Sequence, residues 1–237
     1  MVALLRIIII LPYFIFVCIY GIFYCLIKFK NKNNVMLISK LFNKISILLG
    51  VKIRIYQYNR LINNDNCVYI ANHQNIYDIF IASCVIQNNT VTIGKKEIIF
   101  IPLFGILYWL SGNIFINRNI NYRSFNNLNN IINIIKERKV SVLIFPEGTR
   151  SNSKKLLPFK TGAFYIAMSN NMSIVPICIS NTNNIRLNRW NNGIITIYIL
   201  PKIITSNYRN KNLREITNQC FKQMKNKLTN INNIKKY

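Results

Sequence analysis

Residues 7–27 form an unbroken apolar run of 21 positions, preceded by Arg6 and followed by Lys28, Lys30 and Lys32. At about 1.5 Å per helical residue, such a run is long enough to cross the hydrocarbon core of a bilayer. A signal peptide would have a shorter apolar core and a small-x-small cleavage site after it; this run has neither, which marks a retained anchor. Residues 35–49 keep apolar spacing but carry Lys40 and Lys44 four apart, the pattern of an amphipathic helix lying at an interface. Together residues 1–50 read as a membrane anchor, either one crossing helix or a two-helix hairpin entering a single leaflet. Lysines on the C-terminal side of the apolar run place the rest of the chain, residues 51–237, on the cytoplasmic face of a cell membrane under both geometries.

Beyond residue 50 the period changes. Residues 51–58 alternate with period two, and 67–71 form a short continuous apolar run; both read as strands. Further strands are expected at 90–94, 113–116, 140–145, 174–180 and 194–200, with helices at 75–86, 124–138, 161–169 and 212–230. Pro102 and Gly105 predict a broken helix or loop over 101–110. Strands alternating with helices define an α/β fold, with a mixed, partly parallel sheet flanked by helices and preceded by the anchor. No repeat or linker divides residues 51–237.

Composition sharpens this picture. Hydrophobic residues make up 51% of the 237, against 16% charged, which points to membrane contact. A net charge of +25 arises from 31 Lys and Arg against six acids. Asn- and Ile-rich stretches such as FNNLNNIINII indicate that codon bias accounts for a large share of it. Whatever its origin, the charge draws the surface toward anionic lipid. A membrane-tethered nucleic-acid binder would explain the charge but gives no role to the few acids and the single histidine, so no nucleic-acid partner is expected. The six cysteines form no C-x-x-C pair and read as buried free thiols. With one His in the chain, a Cys/His zinc site is not expected.

That histidine, His73, follows the strand at 67–71 and stands five residues before Asp78. On a regular helix the two would diverge by about 140°. They meet only if His73 lies in the turn before the helix, with Asn75 as its N-cap and Asp78 in the first turns. A carboxylate beside imidazole orients it and stabilises the imidazolium formed on proton uptake. The bland alternative, an N-terminal helix acid and an ordinary loop histidine, is equally compatible with H-x-x-x-x-D alone. A second cluster, Glu147-Gly148-Thr149-Arg150 in FPEGTR, follows another buried strand. Gly148 permits close ligand approach, and Arg150 offers charge-assisted hydrogen bonds to phosphate. Strands also end at Arg118 and at Lys95-Lys96.

The four ordered blocks NHQNIYD (72–78), FINR (115–118), FPEGTR (145–150) and IVPICI (174–179) resemble the glycerolipid acyltransferase family, and closely its bacterial members that act on 1-acyl-glycerol-3-phosphate. The resemblance implies His73 as catalytic base and Asp78 as its orienting partner. Arg118 and Arg150 are implied as acceptor-phosphate grips, with Lys95 and Lys96 as further cations, and Glu147, Gly148 and Thr149 shape that pocket. Asn117 departs from the Asp often found before the Arg. The family implies acyl transfer from acyl-CoA or acyl-acyl carrier protein to the sn-2 hydroxyl of lysophosphatidic acid at the bacterial inner membrane, with no metal and no bound cofactor. Glycerol-3-phosphate or another lysophospholipid is the alternative acceptor.

Overall fold

The computed structural model describes residues 1–57, 65–117, 125–152, 155–208 and 212–234. Seven strands, β1 (Val51–Gln57), β2 (Cys67–Ala71), β3 (Thr90–Lys95), β4 (Ile114–Ile116), β5 (Ser141–Ile144), β6 (Ser173–Ile179) and β7 (Gly193–Ile199), form one sheet in the order β1-β7-β6-β2-β5-β3-β4. All neighbouring pairs are parallel except β6 with β7. The central strands are continuous apolar runs because both faces of the sheet are covered. Side chains alternate across it: Tyr69 and Ala71 join one core, Val68 and Ile70 the other.

Helices α1 (Val2–Ile27), α2 (Asn34–Leu48), α3 (Asp78–Ala82) and α4 (Phe104–Leu110) cover the first face, and α5 (Phe125–Arg138), α6 (Gly162–Ser169) and α7 (Leu213–Ile234) the second. The mixed α/β architecture with an N-terminal apolar helix is thus the one expected.

Several details differ. Arg6 is inside α1 rather than flanking it, and it is buried, donating to the carbonyls of Arg186 and Leu187, both at 3.0 Å, and of Trp190 at 2.8 Å. The helix expected over 75–86 is only α3 followed by a 3-10 turn, Ser83–Val85. Asn75 is not its N-cap: its side chain accepts from the Tyr77 N–H at 2.8 Å, making a local turn before the helix. The region at 101–110 resolves into a corner at 101–103 and α4, with a 3-10 turn, Lys96–Phe100, just before it. Lys40 and Lys44 are exposed on α2, whose opposite face packs Ile38, Phe42 and Ile45 into the core.

Candidate active site

The C-terminal ends of parallel strands β2, β3 and β5 converge on one side of the sheet, where ligands of open α/β sheets bind. His73 follows β2, and its Nδ1 lies 3.0 Å from Oδ2 of Asp78. Asp78 is wholly buried while the His73 side chain keeps 13% of its surface exposed. The same Oδ2 accepts the backbone N–H groups of Asn75, at 2.9 Å, and of Gln74; Oδ1 accepts the Thr182 hydroxyl at 2.6 Å. Every donor here is directed at a carboxylate that cannot rotate away. Since Oδ2 is an acceptor, Nδ1 carries the ring proton and Nε2 holds the lone pair. The imidazole is stacked on Phe145 at 4.4 Å between ring centroids, which sets its plane.

Glu147 stitches the second loop to the first. Its Oε1 accepts the His73 backbone N–H at 2.6 Å and its Oε2 the Leu157 N–H at 2.9 Å. Burial raises its pKa above the usual glutamate value, and the two backbone N–H groups partly oppose that shift. The Ser151 and Asn152 N–H groups donate to the carbonyls of His73 and Gln74, completing the seam. In Glu147→Gln, one N–H of this seam faces an amide NH2 and loses its acceptor. We expect about 1–3 kcal/mol of destabilisation, and so a melting point lower by roughly 2–10 °C. Calorimetry checks this, and an unchanged midpoint contradicts it.

His73 opens onto a cavity of about 810 Å³. Its polar lining includes Lys95, Thr149, Arg150 and Lys160; its apolar lining comes from α2 (Val35, Ile38, Phe42), α4 and neighbouring turns. Gly148 also lines it, at φ +71°, and a Cβ there would fall 2.8 Å from the Lys160 side chain. The positive φ favours glycine here, and a Cβ would also displace the end of the Lys160 side chain.

Of the residues expected at the site, His73, Lys95, Gly148, Thr149 and Arg150 line one cavity, and Asp78 and Glu147 brace it from behind. Lys95 is ion-paired with Glu97 at 3.0 Å. Lys96 is exposed and is not among the lining residues. Pro176 is buried within the sheet opposite Ile70, away from the cavity lining. Arg118 lies outside the described residues. None of the six cysteines lines the cavity, and burial pushes the Cys84 and Cys220 thiols up to about 12.

Four contributors are not legible as site residues in the sequence. Thr182 holds Asp78 from the far end of β6, 104 residues along the chain; the only signal was its position just after the IVPICI block. Asn72 exchanges hydrogen bonds with the backbone of Ile179, and Gln74 bonds Ile179, Ser180 and Thr182, locking the His73 turn onto β6. Lys160 lines the cavity with its side chain packed over Gly148.

A buried carboxylate bonded to an imidazole at the end of a parallel strand, with cations beside it, equips a site to deprotonate a hydroxyl on an anionic substrate. The acyltransferase family profile matches residues 52–180, and this chain belongs to that family. Over 98% of its length it is 40% identical to the 1-acyl-sn-glycerol-3-phosphate acyltransferase of Escherichia coli strain K12, covering 95% of that protein. Identity is also 40% to the enzyme of that name from Haemophilus influenzae, with 98% of this chain and 97% of the relative covered. In fold it matches the crystal structure of the 1-acyl-sn-glycerophosphate acyltransferase of Thermotoga maritima, with a TM-score of 0.74, 20% identity and 98% of both chains covered.

Proposed function

We propose that this acyltransferase moves a fatty acyl chain from a thioester donor, acyl-CoA or acyl-acyl carrier protein, onto the sn-2 hydroxyl of 1-acyl-sn-glycerol-3-phosphate, giving phosphatidic acid for phospholipid synthesis. One observation carries the reading: the braced imidazole faces a single cavity that offers cations for a phosphate and apolar walls for a chain. The names of the 40% identical relatives support the choice of acceptor.

In this mechanism Arg150, with Lys160 and Lys95 nearby, takes the acceptor phosphate and brings its hydroxyl to His73. Nε2 removes the hydroxyl proton as the oxygen bonds to the thioester carbonyl carbon. Asp78 stabilises the imidazolium across Nδ1. The C–S bond then breaks, and the leaving thiolate recovers the proton from His73. Acyl transfer is direct and forms no acyl-enzyme.

Assaying the purified enzyme with lysophosphatidic acid, glycerol-3-phosphate and other lysophospholipids tests the assignment. Lysophosphatidic acid should give the highest kcat/KM, and a better acceptor among the others would overturn it. Arg150→Ala should raise the KM for the acceptor about 10- to 100-fold, the worth of charge-assisted hydrogen bonds, while kcat changes far less. Steady-state kinetics on the acceptor separates the two, and a fall in kcat at constant KM would contradict the role.

A lipid acceptor calls for work at a membrane surface, and the lysines that follow α1 support the cytoplasmic face. Helix α1 is 26 residues long and uncharged apart from Arg6, and it exposes one whole face. Its N-terminal part is tied to the 186–190 loop by Arg6, Gly21 rests against Leu107, and just beyond its C-terminus the Lys30 N–H donates to Leu110 at 3.1 Å. A helix held to the domain at both ends lies along it. This supports α1 and α2 entering one leaflet, with no end of α1 on the far side.

A further inference from the structure

Past β3 the chain makes a 3-10 turn, Lys96–Phe100, and a sharp corner before α4. At the corner Leu103 adopts φ +61° and ψ −49°, and the Phe104 N–H donates to the Pro102 carbonyl at 2.6 Å. This is a γ-turn in the conformation that side chains disfavour. Gly105 completes it: a Cβ there would meet the Ile99 carbonyl oxygen at 2.3 Å, so only glycine lets α4 start against the turn. The corner splits the segment's side chains between two surroundings. Ile98, Ile101 and Phe104 line the active-site cavity, while Ile99 and Phe100 point to the outside.

Those outward residues are out of place for water contact. Phe100 is 80% exposed and Ile99 43%, and one turn apart on α4 Ile106 is 52% and Trp109 44% exposed. Trp109 meets Phe29, just past α1, edge-on at 5.4 Å. Lys30 caps both rings, its Nζ 4.7 Å from the Trp109 centroid and 4.9 Å from that of Phe29. Through the Phe29–Trp109 contact the strip adjoins the exposed apolar face of α1. It is edged by Lys28, Lys30 and Lys96, and tryptophan beside lysine is the signature of a headgroup-level anchor.

We propose that this strip, residues 99–101 with Ile106 and Trp109, is a second membrane-embedded element, and that what covers it is the acyl region of an anionic bilayer. The inference rests on the membrane reading above and adds to it. The turn carrying Phe100 is the wall between the cavity and the lipid. Ile101 lines the cavity and is itself 45% exposed, so it marks where an acyl chain passes laterally between membrane and site.

The test uses the full chain with Trp109 and Trp190 changed to Phe and one tryptophan placed back, either Phe100→Trp or, on the exposed face of α1, Ile8→Trp. Each is bound to phosphatidylethanolamine–phosphatidylglycerol vesicles with brominated acyl chains. Quenching and a blue shift for both tryptophans support the proposal. If the Ile8→Trp probe is quenched and the Phe100→Trp probe is not, α1 alone inserts and the proposal falls while the membrane reading stands. If neither is quenched, both fall. Activity gives a second readout, since Phe100 does not line the cavity. Phe100→Ser should lower kcat/KM about ten-fold for acceptor presented in vesicles and leave a soluble short-chain acceptor unaffected, the scale expected from withdrawing one aromatic ring from lipid. An equal loss on both acceptors would overturn the proposal.

Discussion

His73→Ala is expected to lower turnover by about 10²–10⁴-fold, the usual contribution of a positioned general base. No other described side chain in the cavity can replace it, because the remaining polar lining consists of cations, amides, hydroxyls and the ion-paired Glu97. The fold should survive the change. The backbone N–H of residue 73 still reaches Glu147, and Asp78 keeps the Gln74 and Asn75 N–H groups and the Thr182 hydroxyl. Helix α1 is untouched. Turnover and vesicle flotation measured on one preparation check this: activity lost with flotation unchanged is the expected pair, and activity within about three-fold of wild type would remove the imidazole from the mechanism.

Asp78→Asn should cost nearly as much, roughly 10²–10⁴-fold in kcat, by removing charge while preserving shape. The amide oxygen can take the Oδ2 position, accepting from Nδ1 and two backbone N–H groups. The NH2 group then donates to the Thr182 hydroxyl, which can accept. The ring keeps its tautomer, yet nothing balances the imidazolium as the proton arrives. Acceptor KM should hardly change, since Asp78 is shielded from the cavity. A large KM effect with kcat preserved would mean that Asp78 shapes the acceptor pocket instead.

How much was legible follows from where each constraint is stored. Strand β2 was read with its boundaries intact because a strand buried on both faces is a continuous apolar run. His73 and Asp78 were legible as a pair because His73 lies just past β2 and Asp78 opens α3 only five residues later. The length of α3 was not: the 75–86 pattern suits a helix, but Asn75 and Asp78 spend their side chains on a turn. Arg6 looked like a flanking charge, since nothing nearby announces the three carbonyls that receive it 180 to 184 positions later. Thr182 and Lys160 were hidden for the same reason, as they reach the site through the order of strands in the sheet. Arg118, singled out by its block, lies outside the described residues.

In the proposed reaction His73 takes a proton from the acceptor and never carries the acyl group. Incubating the purified enzyme with radiolabelled acyl thioester alone, then denaturing it and counting the protein, tests this directly. Direct transfer predicts no label on the protein, and label in phosphatidic acid once lysophosphatidic acid is supplied. An acyl group on His73 formed by donor alone would make the imidazole a nucleophile and contradict the account.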